Sequence, residues 1–225
     1  MVQPLALGDF AAGVDHAVKA AQPLDAPRDL AVTPQFIESP IALLPGAGIQ
    51  DVFRHLAQDT ARTAAIASAI TNAFQQGRKV LALTERTEHI DAIRAALADQ
   101  VPEPFVLHGR MSEKQRAALI AALDALSPDA PRLLLATGQL VGEGFDRPPL
   151  DTFVLAMPVS WKGTLAQYAG RLHREHASKT DVRIIDFVDT GHPALLRMWD
   201  KRQRGYRVMG YRVHSGKPSV GSLEG

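Results

Sequence analysis

Apolar residues along this chain alternate between short unbroken runs and stripes that return every three or four positions. From Ile49 to Gln76 the pattern is helical, with Ile66, Ala67, Ile70, Ala73 and Phe74 on one face and Gly77 placed to end the helix. Val80–Leu83 reads as a buried strand. A helix is predicted over about 87–99, with Ile90, Ile93, Ala96 and Leu97 on its inner side. Phe105–Leu107 is the next strand. Ser112-Glu113-Lys114-Gln115 is a capping-box pattern that opens a helix to about Leu126. Arg132–Ala136, Thr152–Ala156 and Val182–Val188 are strand-like, and Pro193 to about Met209 reads as a basic amphipathic helix. Apolar strands separated by helices predict an α/β fold, a parallel sheet covered on both faces.

The start of the chain has another character. Residues 1–49 carry six prolines, and each removes a backbone donor and restricts its predecessor. A short helix around 9–21 and an extended piece near Leu30–Ile37 are expected, in a loosely packed lead rather than a domain. Residues 50–212 form the expected domain, and 213–225 a flexible tail that frays from Ser215.

Composition changes this picture little. The chain has 225 residues, 46% apolar and 22% charged, which suits a globular core. A net charge of +1 gives no strong overall pull on nucleic acid. The distribution is uneven. Residues 1–49 hold two basic residues against five acidic, and residues 197–225 hold seven basic against two. That basic end either meets phosphates or is a solvated helix face. Cysteine is absent, so disulfides, thiolate metal sites and cysteine nucleophiles are excluded. With no basic start and apolar core of a signal peptide, and no 18-residue apolar run, the expected location is the cytoplasm, with no membrane contact.

The chemistry concentrates in Gln167-Tyr168-Ala169-Gly170-Arg171-Leu172-His173-Arg174. Positions 167, 170, 171 and 174 share one helical stripe. A guanidinium pair aimed across a cleft suits a transferring phosphoryl group, whose charge spreads over its oxygens. The plainer readings are that Gln167 completes a capping box begun at Thr164, and that Arg171 and Arg174 are solvated. Upstream, Thr137 and Gly138 follow a strand, where a small hydroxyl beside a glycine meets a phosphate or merely turns the chain. Gly142 and Gly144 permit close approach of a ligand, and Asp146 before Arg147-Pro148-Pro149 either caps a turn or faces a ligand. Gly109 and the helix opening at Ser112 offer amides to a phosphate, or keep them for Ser112 and Gln115. Thr84 and Arg86 follow the first strand of the domain. Ligands of parallel sheets bind outside the carboxyl ends of the strands, and Thr84, Arg86, Gly109, Thr137, Gly138, Gly142, Gly144 and Asp146 stand at or just after predicted strand ends.

The string Gln167 to Arg174 resembles motif VI of superfamily 2 helicases. Leu135-Ala136-Thr137-Gly138 with Gly142-Glu143-Gly144-Phe145-Asp146 resembles motif V, Val80 to Arg86 resembles motif IV, and Leu107-His108-Gly109-Arg110-Met111-Ser112 resembles motif IVa. Order and spacing are similar to the C-terminal RecA-like lobe of DEAD/DEAH-type helicases over roughly residues 50 to 212. The wording from Trp161 to Tyr168 is most similar to helicase modules of TOTE-type conflict-system proteins, with type III restriction helicase subunits more distant. The resemblance implies a RecA-like (P-loop NTPase-type) sheet and an ATP-dependent helicase or translocase. Arg171 and Arg174 are then arginine fingers, with Gln167 near the terminal phosphate. Gly142, Gly144 and Asp146 face the nucleotide. Thr84, Arg86, His108, Gly109, Thr137 and Gly138 lie along a nucleic-acid backbone. The implied partners are DNA, single-stranded or duplex, with RNA compatible, and a first RecA-like lobe in cis or trans.

The pattern departs from the family in one place. No Gly-x-x-x-x-Gly-Lys-Ser/Thr phosphate loop and no Asp-Glu box occur in these residues. Both belong to the first lobe, so ATP and Mg²⁺ are expected only when such a lobe is joined. The chain is then a fragment, a truncated frame or a split subunit, and inactive alone. The alternatives are a non-catalytic module binding nucleic acid or protein, and a different Rossmann-like nucleotide enzyme. The last lacks a Gly-x-Gly-x-x-Gly after any predicted strand.

Overall fold

The computed structural model describes residues 29–38, 40–41, 46–138, 150–159 and 181–215. Seven strands form one sheet among them. In chain order the elements are β1 (Asp29–Ile37), α1 (Ile49–Gln58), α2 (Thr60–Gln75), β2 (Lys79–Thr84), α3 (Thr87–Leu97), β3 (Phe105–Leu107), α4 (Glu113–Asp124), β4 (Arg132–Thr137), β5 (Thr152–Leu155), β6 (Asp181–Asp189), α5 (Pro193–Val208) and β7 (Arg212–Val213). The strand order is β3-β4-β2-β5-β6-β1-β7, and every pairing is parallel. All carboxyl ends therefore lie along one edge.

The two faces are separately packed. Leu81, Leu83, Leu134, Phe153, Ile184 and Val188 point to the side that meets Leu123 of α4 and Trp199 and Tyr206 of α5. Val80, Ala82, Leu135 and Val154 point to the other side, against Ile66 and Ile70 of α2 and Ile90 and Ile93 of α3. This alternation within unbroken apolar runs is why β2, β4 and β5 read as buried strands.

The sequence-based elements recur within one or two residues at each end, with three differences. The helix expected from Ile49 to Gln76 is two helices. Asp59 stands between them in extended conformation, and its side chain accepts from the Arg62 amide at 3.0 Å as the N-cap of α2. The extended piece inside the supposed loose lead is β1, a full member of the sheet beside β6, with Val32 wholly buried. Pro34 is tolerated because, among the described residues, β7 pairs only with Ala31 and Val32, so no described strand needs a donor from Pro34 on that side. The third difference is β7 itself, at the start of the supposed tail. His214 donates its amide to the Val32 carbonyl at 2.9 Å. Gly210, at φ +86°, makes the return possible: its amide reaches Arg207 O and that of Tyr211 reaches Tyr206 O. The helix expected around 9–21 lies outside the described residues.

No described helix is long and apolar enough to cross a membrane. At the amino edge, Arg78 ties three strands together. Its guanidinium reaches Thr152 Oγ1 at 2.8 Å and Asp181 Oδ1 at 2.5 Å.

Candidate functional site

β2 and β4 end side by side, with Thr84 in register with Thr137. The Gly138 amide donates to the Thr84 carbonyl at 3.1 Å, so the ladder continues one residue past the strand. Gly138 is buried, and a side chain there would begin 3.0 Å from Glu85 Oε1. Thr137 is half-buried at the rim. Thr84 is buried, and its hydroxyl lies 2.8 Å from His89 Nδ1. That hydroxyl has an internal partner, so the geometry gives Thr84 a structural bond rather than an open face.

β3 delivers the next residues. His108 to Met111 is a tight turn closed by the Met111 amide on the His108 carbonyl at 3.1 Å. His108 Nδ1 accepts from the Arg110 amide at 3.3 Å, and no atom lies within 4 Å of where a Gly109 side chain would stand. Ser112 then caps α4: its Oγ accepts from the Gln115 amide at 3.3 Å, while Gln115 Oε1 accepts from the Ser112 amide at 2.9 Å. The reciprocal cap is the one the sequence predicts.

Arg86 stands just past β2. It donates to Glu88 Oε1 at 3.1 Å and to Gln50 Oε1 at 3.2 Å, so α1 helps to orient it. Arg86 and Arg110 line an open cleft of about 330 Å³ with Gln50, Phe53, Glu85 and Glu88. Among the described candidates, His108, Gly109, Thr137, Gly138, Thr84 and Arg86 thus gather on the adjoining ends of β3, β4 and β2. Gly142, Gly144, Asp146, Gln167, Arg171 and Arg174 lie outside the described residues.

A buried layer of ion pairs, whose partners no local sequence pattern predicts, lies beneath this edge. Arg62, near the start of α2, holds Asp189 at the end of β6 through two bonds, Nε to Oδ1 at 2.7 Å and Nη2 to Oδ2 at 3.0 Å. Its Nη1 donates to the Ala156 carbonyl at 2.7 Å. On the other face, Arg202 of α5 holds Asp186 in the same way, Nε to Oδ2 at 2.8 Å and Nη2 to Oδ1 at 2.9 Å. Its Nη1 donates to the Val159 carbonyl at 3.3 Å. Tyr206 donates its hydroxyl to Asp186 Oδ2 at 2.9 Å. Burial pushes the Asp186 carboxyl up from its ordinary value, opposed by the charge and bonds of Arg202 and the hydroxyl of Tyr206. Both oxygens of Asp186 accept bonds, as an ionised carboxylate does, and we treat the pair as charged. The signal for this layer is an aspartate inside the apolar run Ile184 to Val188, which needs a buried partner. Arg202 is one of the seven basic residues of the segment 197–225, and its burial removes it from any phosphate-facing surface.

The helicase conserved C-terminal domain family matches residues 62–176, just over half of the chain. The chain belongs to that family. Among similar proteins, uncharacterized protein 108L of Invertebrate iridescent virus 3 is 34% identical over 103 residues, 44% of this chain and 90% of the viral protein. Probable helicase D10 of Escherichia phage T5 is 25% identical over 137 residues, 61% of this chain and 30% of D10. Among solved structures, T4 UvsW aligns with a TM-score of 0.63 at 18% identity, covering 82% of this chain and 40% of UvsW. The C-terminal domain of the DEAD-box protein Dbp5 aligns at 0.53 and 13%, covering 82% of this chain and 88% of that domain. These structures share the RecA-like fold that the sequence implied. The chain spans less than a third of D10 and less than half of UvsW.

Proposed function

We propose that this chain is the C-terminal lobe of an ATP-dependent superfamily 2 DNA helicase or translocase. The observation that supports it best is the gathering of His108, Gly109, Thr137, Gly138 and Arg86 at one end of three adjacent parallel strands, in a chain of the helicase C-terminal family. The exposed Gly109, a rim hydroxyl and two guanidiniums, Arg86 and Arg110, suit the oxygens of a phosphodiester backbone. DNA is the partner in this reading, as single strand or duplex, and the same contacts accept RNA. The wording from Trp161 to Tyr168 supports a relationship to TOTE-type modules within the superfamily.

In this reading ATP binds between the lobe and a first RecA-like lobe, supplied in cis or trans. Gly142, Gly144 and Asp146 take the nucleotide side. Gln167, Arg171 and Arg174 close on the γ-phosphate, where guanidiniums stabilise the charge of the transferring group. No three His, Asp or Glu side chains gather as a metal site among the described residues, so we assign Mg²⁺ no ligand here and derive no step through it.

The test is phosphate release by the chain alone and by the chain joined to a first lobe carrying a phosphate loop and an Asp-Glu box. We expect no turnover alone, and turnover stimulated by single-stranded DNA once joined. Turnover by the clean chain, or none by a joined protein that binds both ATP and DNA, overturns the reading. One observation favours a second reading, a stand-alone binding module: the match to the viral protein 108L takes in nearly all of that protein's length. In that case the joined protein gains nothing, while the chain alone retains its nucleic-acid affinity.

A further inference from the structure

We propose that the outer face of α5 binds the backbone of duplex DNA, as a surface separate from the strand-end cleft. This rests on the reading above for the single strand in that cleft, but not for the α5 face itself.

α5 carries two stripes. Leu195, Trp199, Arg202 and Tyr206 recur at i, i+4, i+7 and i+11 and are buried. Arg197, Lys201 and Arg204 repeat that spacing two residues later on the outer side, with Arg207 next to them, and all four are exposed. Elsewhere the exposed arginines Arg54, Arg94, Arg183 and Arg212 each hold a carboxylate. The four cations of α5 hold none among the described residues. Arg204 Nε donates to the Asp200 carbonyl at 3.2 Å, and Arg207 Nη2 to Gln203 Oε1 at 3.0 Å. Like charges three and four residues apart on a helix repel one another. The helix dipole accounts for Arg207 in the last turn, and its effect does not reach Arg197 or Lys201. Asp200 is the one carboxylate of the helix. A row of phosphates supplies the missing counter-charge.

The character of the face favours a duplex. It has no exposed aromatic ring, since Trp199 and Tyr206 are buried. Single strands are held by stacking in grooves, whereas a duplex presents its phosphates to a convex helix. From Arg197 to Arg207 the face runs about 15 Å, at about 1.5 Å for each residue, which spans several successive phosphates of one strand. Leu196 and Val208, the exposed large apolar residues of α5, stand at opposite ends of the helix. They form no patch for an acidic protein or a lipid surface.

The position of α5 fits as well. β6 ends at the carboxyl edge and β7 starts at the amino edge, so α5 runs down the sheet from the edge that holds the cleft. α1 borders both surfaces. Gln50 and Phe53 line the cleft, while Val52 and Leu56 pack with Leu195 of α5. A tailed DNA would thus lay its duplex along α5 and send its single-stranded end into the cleft.

The experiment measures fluorescence anisotropy of a blunt DNA duplex, a short single strand and a tailed duplex with the full chain, over several salt concentrations. Arg197→Gln with Lys201→Gln removes two cations that hold no bond among the described residues. Arg94→Gln with Arg183→Gln lowers the net charge equally and serves as the match. We expect the α5 variant to bind the duplex about tenfold more weakly at low salt, with a slope of log affinity against log salt lower by about 0.9 for each cation removed. Its affinity for the short single strand stays the same, and its Tm is unchanged or slightly higher, because a like-charge pair is gone. The matched variant loses far less. The tailed duplex binds the wild type at least about tenfold more tightly than the blunt duplex. No duplex binding by the wild type at low salt, an unchanged slope in the α5 variant, or an equal loss in the matched variant overturns the proposal. Polyglutamate that competes as well as the duplex also overturns it, and makes the face a site for acidic protein. If the α5 result stands while Arg86→Gln with Arg110→Gln keeps full single-strand affinity and the tail adds nothing, the duplex surface holds and the reading of the cleft falls instead.

Discussion

The Thr84 hydroxyl and His89 Nδ1 lie 2.8 Å apart, both buried at the carboxyl end of β2. The other ring nitrogen, Nε2, has no hydrogen-bond partner among the described residues. Burial, and then the charge of Arg62, hold this imidazole down to a pKa of about 4. The unfolded ring takes its proton near 6.5, whereas the folded ring waits until about 4. Protons therefore favour the unfolded chain between those values. The stability is full above about 6.5 and is lost as pH falls toward 4, by roughly 3 kcal/mol at most. Urea unfolding of the wild type and of His89→Asn between pH 7 and 4.5 measures this. The difference between the two curves should shrink as pH falls. Parallel curves would show that His89 does not carry the slope.

Breaking the Arg62–Asp189 pair leaves a charge buried without its partner. Asp189→Ala should cost about 3–5 kcal/mol, and Arg62→Met with Asp189→Leu should recover much of that loss. Denaturant midpoints of the single and double variants decide it. A double variant as unstable as Asp189→Ala would mean the pair contributes packing that apolar residues of similar size cannot supply.

A smaller effect belongs to Asp59. Its carboxylate caps α2 through the Arg62 amide, so Asp59→Ala should cost about 1 kcal/mol. In a chain of this size that is a fall of roughly 2–4 °C in Tm. Asp59→Ser, which also caps, should keep most of the stability. If serine and alanine behave alike, the cap does not contribute.

The fold was legible because its strands are written as apolar runs and its helices as stripes with caps. Ser112 with Gln115 and Gly77 with its preceding helix are local signals, each settled by a few neighbouring residues. What was not legible depends on distant partners. Arg62 and Asp189 are 127 residues apart in sequence, and nothing near either one names the other. β1 looked like a loose lead because six prolines surround it. Only the shortness of β7 explains why Pro34 fits. The candidate site was half legible in the same sense. The residues at the ends of β2, β3 and β4 were found from strand-end logic, but only the structure shows that Thr84 turns inward to His89 while Arg86 turns outward to Gln50.

Arg86 and Arg110 flank the open cleft beside β2, and both are expected to meet phosphates. Single-stranded DNA should bind the chain weakly at low salt and much more weakly at moderate salt, through counterion release. Arg86→Gln and Arg110→Gln should each lower the slope of log affinity against log salt by about 0.7. Fluorescence anisotropy at several salt concentrations gives these slopes. An unchanged slope in both variants, with wild-type binding intact, would move the nucleic-acid contact away from this edge.

Arg171 and Arg174 decide whether the lobe is catalytic. In the chain joined to a first lobe, Arg171→Ala or Arg174→Ala should cut ATP turnover by about 10³–10⁵, the range of an arginine finger. That corresponds to about 4–7 kcal/mol of barrier. Melting temperature should move little, because charged groups acting on a bound ligand contribute little to folding. Binding of DNA without nucleotide should persist, since the ends of β3, β4 and β2 hold the strand in this reading. Arg→Lys at either position should not restore turnover, as lysine lacks the planar fork that meets two phosphate oxygens. Turnover, DNA affinity and Tm measured on the same preparations separate the cases. A large fall in Tm with unchanged turnover per folded molecule would make both arginines structural. A partial rescue by lysine would mean that their charge acts at a distance rather than through two directed bonds.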